Sequence, residues 1–304
     1  MKKSNFKNLA NKKQSNAKSY SKPTGKPTGK PAGKPAGKFQ QRSSQPQNHA
    51  PRNSTSSSSV IQKSWRQITG VHAVKEALKI HGESIKYALV QKGTTTQQDT
   101  QEILKLLKDQ NVKFEERAEN DLFKICPSHQ GLVLFSDFNP SFDYTTAGWD
   151  EQSLVVALDG VEDPHNLGAI LRTSWLMNVK GLIIPQDRAV GLTATVHKVA
   201  CGGVEHVPVA RINNFSDPFA KLKEAGFWVY GLSHKAKKTI YEIDYPEKVI
   251  WVLGAEDKGL RVPTERVCDE LVCIPQLSPD ASYNVSVATG MALSETTRQW
   301  MSKK

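Results

Sequence analysis

No aspartate or glutamate occurs in the first 64 residues, which contain 14 lysines and arginines. The remaining 240 residues hold 27 basic and 30 acidic side chains, so the formal net charge of +11 comes entirely from this N-terminal tail. From Lys22 to Gly37 the tail repeats KPTG, KPTG, KPAG and KPAG. Proline and glycine at this spacing disfavour helix and strand, which predicts a disordered polycation. Such a tail binds polyanions, either nucleic acid or an acidic membrane surface, or serves solubility alone.

Long apolar runs are missing as well. No stretch approaches the ~18 apolar residues that cross a bilayer, and no apolar segment typical of a secretion signal follows the basic N-terminus. A mitochondrial transit peptide is disfavoured because the lysine-rich tail, broken by proline and glycine, cannot form an amphipathic helix. Free thiols in a reducing cytoplasm and no metal site are the expectation for the cysteines, which show no Cys-x-x-Cys spacing. They are Cys126, Cys201, Cys268 and Cys273.

After the tail (1–64) the composition becomes that of a globular protein, and the apolar periodicity predicts two α/β domains. The first, at 65–136, alternates helices near 71–78, 103–107 and 120–124 with strands near 85–90, 112–114 and 131–135. Few periodic apolar residues occur at 137–151, which indicates a linker.

The second domain, at 152–304, contains short strand-like runs separated by helix-length segments. This pattern is typical of a parallel sheet covered on both faces, whose ligands bind beyond the carboxyl ends of the strands. The loops after the first, fourth and fifth runs are therefore candidates for a binding site. The runs are 154–158, 181–184, 227–230, 249–253 and 271–274.

None of these loops carries GxGxxG or GxxxxGK[ST], so neither a dinucleotide-binding turn nor a P-loop is supported. After the first run, Asn166 is placed to cap a helix, and Arg172 lies one residue off the apolar stripe of that helix. In the second loop, Gly254 and Gly259 flank Glu256, and glycines there allow close backbone approach to a ligand. In the third, Ser282 and Asn284 precede the last helix. Helix caps and surface charges explain each residue when taken alone.

Together, DPHNLGAILRTS, LGAEDKGL and IPQ…SYNVSVATGMALSE closely resemble the three motifs of the SpoU/TrmH family of RNA ribose 2′-O-methyltransferases. The resemblance covers residues 154 to about 300. The preceding domain, with ITGVHAVKEAL and HQGLVLF, is similar to the RNA-binding domain of that family. These segments and VACGGVEHVPV look most like the branch that modifies a guanosine of large-subunit rRNA, and the tRNA branch is the nearest competitor.

The resemblance implies a SPOUT-type α/β domain with a deep trefoil knot at its C-terminal end, holding S-adenosylmethionine between the second and third loops. Gly254, Ile274 and Tyr283 match the cofactor-contacting positions, and Gly259 and Ser282 lie beside them. Two positions depart from the family pattern: Tyr283 replaces a usual leucine, and Gln276 replaces a usual methionine.

The resemblance also implies that Arg172 acts on the reacting 2′-hydroxyl, within a network that includes Asn166, Glu256, Asn284 and, less centrally, Ser286. Free arginine has a pKa above about 12, so electrostatic stabilisation of the alkoxide or phosphate is easier to defend than general-base catalysis. Family enzymes are homodimers whose sites draw residues from both subunits.

Two further hypotheses stay open. A catalytically inactive rRNA-binding assembly factor would use the tail and the first domain without chemistry. A nucleotide enzyme that does not act on RNA would be expected to carry one of the phosphate-loop motifs that the sequence lacks.

Overall fold

A computed structural model describes residues 61–278 and 281–303 of the chain. Residues 1–60, which make up most of the predicted tail, lie outside the described residues. The described part begins with Ile61, which packs with Trp65 against a small apolar cluster that includes Leu89 and Leu122. Among the helices of this part, none has the length and hydropathy needed to cross a membrane.

The N-terminal part of the described chain forms a four-stranded sheet in the order β1-β4-β2-β3. Strands β2 and β3 are parallel, whereas β4 runs antiparallel to both β1 and β2. The strands are β1 (Arg66–Thr69), β2 (Ile85–Gln91), β3 (Lys113–Arg117) and β4 (Leu132–Ser136), and the helices are α1 (Val71–His81), α2 (Gln98–Asp109) and α3 (Glu119–Ile125). The sequence predicted this alternation but missed β1, a four-residue strand that contains only one strongly apolar side chain, Ile68.

The second sheet has six strands in the order β10-β8-β9-β5-β6-β7, and all of its pairs are parallel. The strands are β5 (Ser153–Asp159), β6 (Gly181–Pro185), β7 (Val209–Ile212), β8 (Trp228–Leu232), β9 (Lys248–Gly254) and β10 (Glu270–Val272). The helices are α4 (Pro164–Leu176), α5 (Ala194–Ala200), α6 (Gly203–His206), α7 (Ser216–Glu224), α8 (Val262–Val267) and α9 (Val285–Ser302). The predicted parallel sheet is confirmed, but the expectation of five strands was wrong. Strand β7 is short and includes the exposed Arg211, so its apolar signal is weak.

Both faces of this sheet are covered, which explains the unbroken apolar runs of its central strands. Leu154, Val156 and Leu158 of β5 face a core shared with α4, α5 and α9. Val155 and Ala157 face the opposite core, which α7 closes with Phe219 and Leu222.

The segment 137–152 contains no helix or strand, yet it packs closely on the second of these cores. Phe142, Tyr144 and Trp149 lie against this apolar cluster, and the ring of Trp149 meets that of Phe227 edge-on at 4.8 Å between centroids. A Cβ atom at Gly181 would lie 2.5 Å from the Phe142 ring, so the glycine makes room for this aromatic side chain.

Candidate active site

The carboxyl ends of β5 and β9 lie side by side at the centre of the six-stranded sheet. These strands pair in parallel from Ser153 with Lys248 to Asp159 with Gly254. The loops that follow them therefore leave the sheet at neighbouring points of one edge. Helix α9 packs back onto β9, where the Trp251 indole N–H donates to the Thr296 hydroxyl at 2.9 Å. This packing directs the start of α9 to the same edge.

Asn166 does not cap α4, so that prediction was wrong. The cap is Asp163, whose Oδ1 accepts from the His165 backbone N–H at 2.9 Å. Pro164 occupies the first helical position, which suits a residue that lacks an N–H and has a fixed φ. Asn166 consequently lies inside the first turn, with its amide free to bond elsewhere although the residue is only 8% exposed.

A closed set of hydrogen bonds joins the three loops through Asn166, Glu256 and Asn284. The Asn166 amide donates to Glu256 Oε1 at 3.0 Å. The Asn284 amide donates to Asn166 Oδ1 at 2.9 Å and to the same oxygen of Glu256 at 2.5 Å. The backbone N–H of Val285 also donates to this oxygen, at 3.3 Å. Three of the four predicted catalytic residues thus lie together, and we call them the amide–carboxylate cluster.

Asn284 is also the N-cap of α9, as its position in the sequence predicted. Its Oδ1 accepts from the Ser286 backbone N–H at 2.9 Å and from the Ser286 hydroxyl at 2.6 Å. The Oδ1 atom of Asn284 therefore caps the helix, while its amide group donates hydrogen bonds within the amide–carboxylate cluster. Capping fixes the rotamer of Asn284, which in turn fixes the position of the Glu256 carboxylate.

Beside this cluster lies a cavity of about 390 Å³, a size typical of small-molecule sites. All five predicted cofactor residues line it: Gly254, Gly259, Ile274, Ser282 and Tyr283. Its inner wall is apolar, with Leu253 and Val285, and its rim is polar, with Glu256 and Gln276. An apolar floor with a polar rim suits a ligand that combines an aromatic base with charged groups.

Gly254 is required by its own loop. A Cβ atom at this position would lie 2.0 Å from the carbonyl carbon of Gly259. The Gly259 backbone N–H donates to the Ala255 carbonyl at 2.8 Å, and Gly259 has φ +66°, so the loop turns back tightly on itself. Besides the predicted close approach of the backbone to a ligand, these glycines thus allow the wall of the cavity to form.

The two departures from the family pattern both lie on this cavity. Tyr283 is 37% exposed, and its hydroxyl donates to the Pro275 carbonyl at 3.2 Å. The side chain thus bridges the loop between β10 and α9, beside Gln276, which lines the same cavity.

Arg172 lies apart from the amide–carboxylate cluster. It is exposed, and its guanidinium contacts the Cys201 sulfur at 3.6 Å. Six residues along a helix correspond to a rise of about 9 Å from Asn166. Within one copy of the described chain, Arg172 is therefore not joined to the other three predicted catalytic residues.

One ion pair at this edge was missed from the sequence. Asp159, the last residue of β5, is buried, and its carboxylate accepts from the Arg261 backbone N–H at 2.9 Å and from Nε of the same arginine at 2.5 Å. It ties the end of β5 to the segment that begins α8. The sequence feature that could have indicated this ion pair is the acidic residue directly after the apolar run 154–158.

Comparisons with known proteins identify the family of this chain. A family model described as the SpoU rRNA Methylase family matches residues 153–294. A second model, described as RNA 2′-O ribose methyltransferase substrate binding, matches residues 67–140. The 23S rRNA (guanosine-2′-O-)-methyltransferase RlmB of Neisseria meningitidis is 38% identical over 239 residues, which cover 77% of this chain and 95% of the relative.

Solved structures show the same fold. The SpoU methyltransferase AviRb from Streptomyces viridochromogenes has a TM-score of 0.68 at 20% identity, covering 79% of this chain and 91% of that one. An AdoMet-bound rRNA methyltransferase from Sinorhizobium meliloti has a TM-score of 0.65 at 24% identity, covering 77% and 87%. The resemblance that the three loops predicted is confirmed, and the chain belongs to the SpoU rRNA methylase family.

Proposed function

We propose that this protein transfers a methyl group from S-adenosylmethionine to the ribose 2′-hydroxyl of a guanosine in large-subunit rRNA. The observation that carries the proposal is the amide–carboxylate cluster beside a cofactor-sized cavity, in a family member 38% identical to a 23S rRNA (guanosine-2′-O-)-methyltransferase. The segment that matches the substrate-binding model, residues 67–140, supports an RNA substrate.

The cavity lined by Gly254, Ile274 and Tyr283 is the proposed cofactor site. S-adenosylmethionine, when bound, supplies an electrophilic methyl group. Apolar residues at the inner wall would hold an adenine ring, while Gln276 and Ser282 offer polar contacts at the rim. The relatedness to structures solved with this cofactor supports the same choice.

Glu256 is the residue that we propose to receive the hydrogen bond of the reacting 2′-hydroxyl. Its Oε1 accepts three N–H groups, from Asn166, Asn284 and Val285, whereas Oε2 accepts none from the described residues. The amides hold the carboxylate in one orientation, which leaves Oε2 to orient the nucleophile and accept its proton. Pre-organised groups of this kind need no rearrangement during the reaction.

Arg172 is proposed to stabilise negative charge on the 2′-oxygen or the adjacent phosphate, since a guanidinium does not lose its proton in proteins. Its distance from the cluster within one chain supports a homodimer in which Arg172 reaches the site of the partner. A monomer should then bind cofactor but transfer no methyl group.

The chain organisation that we propose has four parts. A basic tail (1–64) adds non-specific RNA affinity, a substrate-binding domain (65–136) is followed by a linker (137–151), and the methyltransferase domain (152–304) carries the trefoil knot expected of this family. With ribosomal RNA as the proposed target, the cytoplasm is the expected compartment, and neither a metal nor a membrane is required.

Cofactor binding and methylation mapping together test this function. Titration calorimetry should detect S-adenosylmethionine binding, and ribose-methylation mapping should find one guanosine of 23S rRNA unmodified in a deletion strain. A missing tRNA methylation would instead favour the tRNA branch. RNA binding with no cofactor binding would favour the assembly-factor hypothesis.

Glu256→Gln provides a specific test of the cluster. The substitution keeps the shape of the side chain but weakens the oxygen as a proton acceptor. Methyl transfer should fall by at least about 100-fold, the usual scale of acid–base contributions, while cofactor affinity changes little. A change confined to cofactor affinity would contradict the assigned role.

A further inference from the structure

A second cavity, of about 350 Å³, lies on the other side of the amide–carboxylate cluster. It shares Glu256, Gly259 and Val285 with the proposed cofactor cavity, and Asn166 also lines it. A ribose at the shared wall would therefore place its base in this second cavity.

Arg188 lines this cavity with an unusual backbone conformation. Its φ is +57°, in the left-handed region that residues with a side chain rarely adopt. The residue is exposed, and its guanidinium makes no hydrogen bond or ion pair with any part of the chain that the structure describes. Arg261 lines the same cavity, but its guanidinium already forms an ion pair with the Asp159 carboxylate.

The loop of Arg188 is held against the loop that follows β5. The Val190 backbone N–H donates to the Val161 carbonyl at 3.2 Å. This bond brings Arg188 and Glu162 to the same cavity, although the two side chains form no ion pair with each other. A cation with a bidentate donor fork and an uncommitted carboxylate therefore both remain available to a ligand.

The charge of the cavity favours a neutral base over a phosphate. Five acidic residues line it, against three basic ones, and one of those three is already paired with Asp159. The acidic residues are Asp159, Glu162, Asp163, Glu256 and Asp257. A phosphate would be repelled by these carboxylates, whereas guanine presents N–H donors to a carboxylate and two acceptors, O6 and N7, to an arginine.

We propose that this cavity takes the target guanine, with Arg188 bonded to O6 and N7 and Glu162 accepting from the N1 and N2 hydrogens. The inference rests on the proposed function and adds to it the residues that select the base. Arginine bidentate to the O6/N7 edge is the commonest guanine-specific contact in nucleic-acid recognition, and the cavity supplies its counterpart for the opposite edge.

The test uses full-length protein and a 23S rRNA fragment with guanosine, 7-deazaguanosine or inosine at the mapped position. 7-Deazaguanosine lacks the N7 acceptor, and inosine lacks the N2 amino group. For the wild-type protein we expect kcat/KM to fall about 5-fold or more with either analogue. In Arg188→Gln, activity on guanosine should fall about 10- to 100-fold, and 7-deazaguanosine should bring no further loss. Glu162→Gln should likewise lose its discrimination against inosine.

Two further variants separate base recognition from simple charge. Arg188→Lys keeps the positive charge but not the fork, so its loss should approach that of Arg188→Gln. Lys258→Gln removes a charge from the same cavity, and its discrimination against 7-deazaguanosine should match that of the wild type. Cofactor affinity, measured on each variant, shows that the site is intact.

Several outcomes would overturn the proposal. An Arg188→Lys enzyme as active as the wild type would show that a point charge suffices, as for a phosphate. An Arg188→Gln enzyme that still discriminates against 7-deazaguanosine would place N7 elsewhere. If the wild-type protein methylated guanosine and both analogues equally well, the proposal on base recognition would be refuted and the proposed function would stand. If it methylated no guanosine at all, the proposed function would be refuted as well.

Discussion

Arg66 and Glu205 form a buried, bidentate ion pair that joins a strand of the first sheet to a helix that packs on the second sheet. The guanidinium donates to the two carboxylate oxygens at 2.8 and 2.9 Å, and the two residues are 139 positions apart in the chain. Arg66 lies in β1 and Glu205 in α6, so the pair anchors the substrate-binding segment to the segment that follows α5. Nearby, His206 bonds to Glu76 of α1 at 2.7 Å.

Arg66→Ala should destabilise the protein strongly, because the buried Glu205 would lose its bidentate partner and, among the described residues, keep only the imidazoles of His81 and His197 nearby, at 3.8 and 3.6 Å. We expect the free energy of unfolding to fall by about 3–5 kcal/mol. Urea denaturation followed by circular dichroism measures this. Lys238→Ala breaks the largely exposed pair with Glu270 and should cost about 1 kcal/mol at most. Equal losses for the two variants would argue against a buried, anchoring pair.

The free energy of unfolding should fall as the pH is lowered, because of the buried side chain of His197. Its imidazole is fully buried, and neither ring nitrogen has a hydrogen-bond partner among the described residues. Burial, together with the positive charge of Arg66, holds the pKa of His197 well below its usual value. Below about pH 6.5 the unfolded chain therefore binds a proton that the folded protein rejects. The stabilising contribution is complete above this pH and is lost progressively as the pH falls.

His197→Gln removes this titration. Between pH 7.5 and pH 5.0, its free energy of unfolding should decrease less than that of the wild type, by at most about 2 kcal/mol. Urea titrations at the two pH values give the comparison. Identical pH dependence in both proteins would exclude His197 as the responsible group.

Arg172→Ala should abolish methyl transfer and leave cofactor affinity near that of the wild type. The side chain is exposed and lines neither the cofactor cavity nor the second one. Single-turnover methylation and calorimetry separate the two effects. Arg266→Ala removes another exposed arginine and should retain activity. If Arg172→Ala kept more than a tenth of the wild-type rate, an effect of only about 1.4 kcal/mol, a central role would be refuted.

Gly254→Ala should weaken cofactor binding by deforming the wall of the cavity. The new methyl group would overlap the Gly259 carbonyl carbon, 2.0 Å away, and backbone atoms cannot move aside without shifting the loop. We expect the Kd for S-adenosylmethionine to rise at least tenfold and the Tm to fall. Gly148→Ala, where a Cβ meets no atom within 4 Å, is the matched control and should change neither. Normal affinity in Gly254→Ala would place the cofactor elsewhere.

Deleting residues 1–60 should reduce RNA affinity at low salt without changing the modified nucleotide. The deletion removes 13 positive charges but keeps Ile61, which packs on the core of the first sheet. The slope of log Kobs against log[salt] should become shallower, by roughly 0.7–0.9 for each lost phosphate contact. Salt titration of RNA binding, with methylation mapping, provides the measurement. Equal slopes would show that the tail does not touch RNA.

Local sequence patterns were sufficient to predict the class of fold and to locate the three loops. Strands β5 and β9 contain the continuous apolar runs 154–158 and 249–253. Such runs are typical of strands in a parallel sheet that is covered on both faces, and both strands were predicted. Strands β1 and β7 were not predicted because each has only four residues, of which three are polar in β1 and one, Arg211, is charged in β7. Asn166 was misread as a cap although Asp163 and Pro164, three and two residues earlier, carried the correct signal.

The sequence by itself determined which residues stand at the carboxyl ends of the strands, because strand periodicity and loop position are local properties. Only the tertiary structure decided how those residues meet. Asn166 forms hydrogen bonds with Glu256, which is 90 positions away in the chain, and with Asn284, which is 118 positions away. Arg66 pairs with Glu205, one of 30 acidic residues in the sequence. Such pairings depend on the register of neighbouring strands and on which surfaces are buried together. Neither property is encoded in the spacing of residues along the chain.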